Sequence, residues 1–260
     1  MGRGSGQADD GAVTIRERGR FIMVLVAVAV LAIAGTVVVL TRDDGNDQST
    51  KATTTTRERP TTSSVGPAPT TTTAAPVDTS TAVWPVASST VRYRDPVSAA
   101  RGFAIDFVGF VDPVIGEFRA GDSRSGEVPV HRNASGPETT VLVRQLGNDG
   151  TWWVLGAQTA NIQLTAPAAL ASIASPVTIR GTSTAYEATV NVEVREDGND
   201  QPLVSTFLMG GANGQMGPLE GDVAFATPRA TSGAMVLFTK SPEDGRVAEA
   251  TVVRVAFAPK

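Results

Sequence analysis

From Phe21 to Leu40 the chain reads FIMVLVAVAVLAIAGTVVVL, a run without a single charge. At about 1.5 Å of rise per helical residue it spans roughly 30 Å, the thickness of the hydrocarbon layer of a bilayer. A helix in the core of a globular domain would keep a polar face, whereas here Gly35 and Thr36 alone interrupt the apolar run. The segment is therefore expected to cross a membrane, which divides the rest of the chain into two compartments.

Arg16, Arg18 and Arg20 precede the run, and Arg42, Asp43, Asp44 and Asp47 follow it. Basic residues concentrate on the cytoplasmic side of such segments, so residues 1–20 are expected as a cytoplasmic tail and the body as extracytoplasmic. Ala32-Ile33-Ala34 resembles a signal-peptidase site, but the apolar run continues past it to Leu40. An uncleaved single-pass anchor at the cell membrane is expected over a cleaved leader.

Residues 41–83 are dense in Thr, Ser, Pro and Ala and almost free of large apolar groups. Such a composition cannot bury enough surface to fold, and a disordered Thr/Ser/Pro-rich linker is expected. After residue 40 there are 18 basic and 23 acidic residues. That mild acidity leaves no patch to neutralise phosphates, which argues against nucleic acid as a partner. The chain has no cysteine and one histidine, His131. Disulfides, thiol nucleophiles, thiolate zinc sites and multi-histidine metal centres are excluded, and neither metal nor cofactor is expected.

Two folded pieces are expected beyond the linker, making the chain mainly β. In residues 84–160, Asp95-Pro96 supplies an N-cap and a first-turn proline. Val97, Ala100, Phe103, Ala104 and Phe107 follow at helical spacing, and Asp112-Pro113 ends the helix. Strands are predicted over 115–120, 126–132, 139–146 and 151–158, with Gly147-Asn148-Asp149-Gly150 as a hairpin turn. One helix on a small antiparallel sheet is a small α+β domain, with Trp152 or Trp153 covering the sheet. In residues 161–260, short strands are predicted over 162–164, 177–181, 189–195, 203–209, 222–226, 234–240 and 250–258. Val190, Val192 and Val194 alternate with polar residues, and Val253, Val255 and Phe257 repeat the pattern. Seven such strands predict a β-sandwich.

The ordered motifs of this second piece are NIQLTAP, SPVTIRGTSTAYEATVNVEV, GGANGQMGPLEGDVAF, GAMVLFTKSPEDG and VVRVAFA. Over Asn161 to Ala258 they resemble the immunoglobulin-like domain of bacterial spore germination proteins. The signature positions fall on Ser175-Pro176, Gly181, Tyr186-Glu187 and Ser241 with Asp244-Gly245, and Leu219 stands where an aromatic is expected. The resemblance implies an immunoglobulin-like β-sandwich that is extracytoplasmic, non-enzymatic and often attached to another domain.

For chemistry, Gly121-Asp122-Ser123-Arg124-Ser125 invites comparison with a serine esterase, but it lacks the G-x-S-x-G pattern. With His131 and Glu127 it is the one local grouping that could support a nucleophile, and it is expected not to. Asp122, Ser123, Arg124 and Glu127 remain a candidate binding loop, with Arg124 as an anion anchor and Glu127 as an acceptor. Glu196-Asp197-Gly198-Asn199-Asp200 is rich in oxygen ligands but fails the EF-hand spacing and reads as a turn. Gly210, Gly211, Gly214 and Gly217 lack the ending of a phosphate loop. Trp84, Tyr93, Trp152, Trp153 and Tyr186 could line a sugar-binding face or a core. The expectation is a binding or structural protein that presents its sandwich to cell-wall polymer or another envelope protein. The alternative is a cell-wall-acting enzyme, or a regulator of one, with its site in the α+β piece.

Overall fold

The computed structural model describes residues 77–259. The expected membrane segment at 21–40 and the linker up to residue 76 lie outside them. Among the described residues no helix is long and apolar enough to cross a membrane.

The described residues are mainly β with one short α-helix, α1 (Pro96–Gly102), which starts where its capping signals place it. Asp95 is the N-cap, and its carboxylate accepts from the Ser98 N–H at 2.7 Å. The helix widens into a π-helical turn at Phe103–Val108 and stops at Gly109. Its apolar face is Ala99, Ala100, Phe103 and Ala104, all buried.

The first strands are β1 (Val114–Ile115), β2 (Arg119–Ala120), β3 (Ser125–His131), β4 (Glu138–Gln145) and β5 (Trp152–Thr159). There follow β6 (Ile162–Ala166), β7 (Ser172–Ile173), β8 (Val177–Ala185), β9 (Thr189–Glu196) and β10 (Val204–Met209). The last are β11 (Gly211–Ala212), β12 (Gly217–Val223), β13 (Ser232–Lys240) and β14 (Val247–Phe257). The predicted strand over 115–120 is broken into the two short pieces β1 and β2. β10 begins one residue later than predicted, at Val204, and β12 runs Gly217–Val223 where 222–226 was predicted.

Two hydrogen-bonded layers make the sandwich. One is β6–β8–β12, and the other runs β14–β13–β9–β10. Ile162, Ile179 and Leu219 from the first layer meet Val190, Val192, Val194, Met235, Leu237, Val255 and Phe257 from the second. This is the alternation of strands with one buried face.

β13 and β14 depart from that pattern because both of their faces are buried. Met235 and Leu237 of β13 enter the sandwich core, whereas Ala234, Val236 and Phe238 enter a second core with Phe103, Val128, Val141, Val143, Trp152 and Val154. The second layer also continues from β14 through β5 and β4 to β3. At the crossing, Val252 pairs with Ala157. A Cβ on Gly156 would lie 2.6 Å from the Val252 carbonyl oxygen, so only glycine admits this approach. The segments expected as separate pieces thus share a sheet and a core across residue 160. The end of the stretch expected as linker is packed as well. Ala82 and Val83 are buried, and the Val83 N–H donates to the Val154 carbonyl at 2.8 Å.

Candidate functional site

Where α1's π turn meets the end of β9, a cleft of about 490 Å³ opens at the seam of the two segments. Val83, Trp84, Ser88, Ser89, Asp106 and Phe107 form one wall, and Arg195 to Asp200 with Ala234 form the other. Phe107 is held by Phe103, stacked at 5.4 Å, and by the Arg195 guanidinium 5.0 Å from its ring centre. Arg195 also donates to the Phe107 carbonyl and to Glu193, so its charge is spent inside the protein.

The Glu196–Asp200 loop is a turn whose acidic groups are mostly committed. Glu196 accepts from the N–H groups of Ala230 at 3.0 Å and Arg229 at 2.5 Å, and from the Asn199 amide at 3.0 Å. Those main-chain bonds, Ala230's first, hold its carboxyl below the usual range despite burial. Asp197 takes a bidentate pair of bonds from Arg254 at 2.5 and 2.6 Å and one from Ser232 at 2.9 Å. Asp200, Asn199, Asp106 and Ser88 stay exposed on the rim. Asp106 and Asp200 offer carboxylates and Ser88 a hydroxyl to a polar ligand beside the apolar Val83, Trp84 and Phe107, while the Asn199 amide is engaged with Glu196 and Gln201.

The GDSRSGE loop is built as a turn. The Asp122 carboxylate accepts from the Arg124 N–H at 2.7 Å, which lowers its pKa below the ordinary value. Arg124, expected as an anion anchor, is turned onto the next hairpin. It donates to Asn148 at 3.2 Å and to the carbonyls of Gln145 and Gly147. Glu127 is half-buried in mid-strand, paired with Leu142. Ser123 precedes β3 and His131 ends it, so a strand of about 20 Å separates them. His131 instead faces the Gly136 carbonyl at 3.1 Å and Glu138 at 3.7 Å.

The signature positions of the second segment divide by role. Pro176 is exposed at the start of β8, and the neighbouring Ser175 hydroxyl accepts from the Phe225 N–H at 2.9 Å. A Cβ on Gly181 would collide with the Gln163 carbonyl oxygen across the β6–β8 pair, where the register shifts. Ser241, Asp244 and Gly245 form the β13–β14 turn. The Ser241 hydroxyl accepts from Glu243 N–H at 3.2 Å, Asp244 from Arg246 N–H at 3.1 Å, and Gly245 sits at φ 71°. Tyr186 and Glu187 stand out from this packing. Tyr186 is 56% exposed, and Glu187 at φ 55° and Ala188 at φ 58° take left-handed backbone that favours glycine.

Residues 161–246 match the family model of the immunoglobulin-like domain of bacterial spore germination. No curated protein and no solved structure gives a match. The match covers the sandwich up to the β13–β14 turn, so the germination-type domain includes every signature position. Its residues also line the cleft, since Arg195 to Asp200 and Ala234 fall within it.

Sequence reasoning missed two charged groups, one half-buried and one buried, that fasten the germination-type domain to the preceding segment. Arg132, just past β3, pairs with Asp244 at 2.9 Å and Glu243 at 3.0 Å. Glu249 in β14 is buried, 4% exposed, and accepts from Thr159 at 2.5 Å, Asn161 at 3.0 Å and Thr239 at 3.2 Å. Burial pushes its carboxyl above the ordinary 4.5. A signal was present, because Glu249 and Arg254 interrupt a stretch whose apolar residues fall on both strand faces. A polar residue there has no solvent face to turn to. Glu249, Arg132, Tyr186 and Lys240 also border a smaller hollow of about 210 Å³.

Proposed function

We propose that the chain is a single-pass, membrane-anchored extracytoplasmic binding protein. It carries its germination-type domain outward on a linker to engage cell-wall polymer or another envelope protein. The observation that supports this most is the seam cleft, which sets the exposed Asp106, Asp200 and Ser88 beside the apolar Val83, Trp84 and Phe107. These groups recognise hydroxyl- and amide-rich surfaces by hydrogen bonding and require no reactive centre. The uncharged run at 21–40 and the arginines before it support the anchor and its orientation. The separation of Ser123 from His131 along β3 supports binding over nucleophilic chemistry.

The test is sedimentation of the purified chain with isolated cell-wall and envelope fractions. Ser88→Trp and Asp200→Arg, both at exposed rim positions, are expected to weaken co-sedimentation by about tenfold without moving the urea midpoint. Unchanged binding in both variants would remove the cleft from the reading. Resistance of the body to protease added outside wall-stripped cells would overturn the orientation.

A further inference from the structure

The strand edges of this protein are guarded unequally. An open edge presents unpaired main-chain groups, and proteins blunt such edges with shortness, charge or proline. β1 and β2 are two residues each, and β12 carries Pro218, Glu220 and Asp222. β10, which ends the longer layer, has none of these devices. From Gln201 to Leu219 the chain holds no charged residue, β10 itself has no proline, and its register with β9 runs unbroken.

Gly210 N–H donates to the Ala188 carbonyl at 2.8 Å, which sets the phase of the β9–β10 pair. Bonding alternates along an antiparallel pair, so Leu208, Thr206 and Val204 bond toward β9. Ser205, Phe207 and Met209 turn their N–H and C=O groups outward, with no partner among the described residues. The stretch is bounded at one end, where the Leu203 carbonyl accepts from Ala226 N–H at 3.2 Å. The side chains of Phe207 and Met209 are 57% and 55% exposed, and Met216 on the adjoining loop is 44% exposed.

We propose that the β10 edge is a self-association surface, where two copies of this chain pair antiparallel about an axis at Phe207. The occupant follows from the edge's own character. It carries no charge with which to select an ionic partner, and it is complementary to itself. About that axis Ser205 meets Met209 of the second copy, Phe207 meets its counterpart, and each outward N–H and C=O gains a partner. The pairing forms about six hydrogen bonds. The central aromatic pair and the flanking methionines bury the apolar patch that is otherwise left in water.

The chain has no native cysteine, so single cysteines report the register directly. Full-length Phe207→Cys, in membranes and treated with a short bis-maleimide, is expected to give a cross-linked dimer. Ser205→Cys co-expressed with Met209→Cys is expected to link as well. Ser205→Cys alone lies about 14 Å from its copy and is expected to link about tenfold less. Adding Phe207→Lys to the Ser205/Met209 pair sets two ammonium groups opposite each other and should cut its linkage about tenfold. An unchanged urea midpoint shows that the lysine variant still folds. Linkage at Phe207→Cys no greater than at an exposed Ser123→Cys overturns the proposal. So does equal linkage of all cysteine pairs, or an adduct whose mass shows a different protein.

Discussion

Cutting the chain before Asn161 tests whether the germination-type domain stands alone. The cut removes the helix and β1 to β5, which cover one face of β13 and β14. Val236, Phe238, Val247 and Val252 would pass from core to solvent, together with Ala234 and Ala250. At about 1.5–3 kcal/mol for each large side chain, the four represent roughly 6–12 kcal/mol, an upper figure because unfolded chains are partly collapsed. The net stability of a domain is about 5–15 kcal/mol, so the loss is of the same size as the whole. The fragment 161–260 is therefore expected to show no cooperative urea transition by circular dichroism, while 77–260 unfolds in one step. Circular dichroism is the right probe because Trp84, Trp152 and Trp153 all lie outside the fragment. In the longer chain, Val236→Ala on one face of β13 and Leu237→Ala on the other should each lower that same single transition, by about 2–4 kcal/mol. A fragment 161–260 that unfolds cooperatively at the midpoint of the longer chain would refute the shared-core argument.

Two pH effects follow from the groups that tie the segments together. Glu249 binds its proton more tightly in the folded state, so stability falls as pH rises from the ordinary 4.5 through the raised folded value, and stays lower above it. Glu249→Gln should flatten that slope in urea titrations between acid and neutral pH; a parent-minus-variant difference independent of pH would contradict it. Asp244 is the opposite case, held below its ordinary 3.8 first by the Arg132 hydrogen bond and then by Arg246 N–H. Its contribution is present above 3.8 and lost as pH falls through the depressed folded value, so Arg132→Ala should start acid unfolding at higher pH. An acid midpoint identical to the parent's would count against the Arg132–Asp244 tie.

The parts of the fold legible in the sequence were those whose signal is local. Asp95-Pro96 marks a helix start because the cap and the fixed proline φ act within one turn. Val190, Val192 and Val194 reveal a strand because alternation records which face is wet. β13 was found as a strand, but its run GAMVLFTK hides that one half of it faces each of two cores. A continuous apolar run states that both faces are covered without saying by what, and the covering residues lie some 90 positions earlier, at Val141 and Val143. β7 and β11 escaped because two-residue strands carry no periodicity.

The site was harder to read for a related reason. Charged residues in the sequence advertise chemistry, yet most of those singled out are committed to main-chain groups or to each other. Arg124 holds a hairpin, Asp122 caps a turn, Asp197 clasps Arg254, and Glu196 closes a loop. Composition cannot distinguish a free carboxylate from an engaged one, because engagement depends on partners such as Ala230 N–H, 34 residues away from Glu196. What remains free is less conspicuous in sequence: Asp106 and Asp200 on the cleft rim, and an uncharged strand with Phe207 and Met209 on its outer face. Phe207 and Met209 are exposed at a cost that a core would remove, about 25 cal/mol for each Å² of apolar surface left in water. Phe207 and Met209 sit on an edge without charge, proline or bulge, so neither local fold nor edge protection accounts for them. Function is therefore best sought in the groups that the fold does not use: the cleft rim, with Asp200 at the end of the acidic turn, and the outer face of β10.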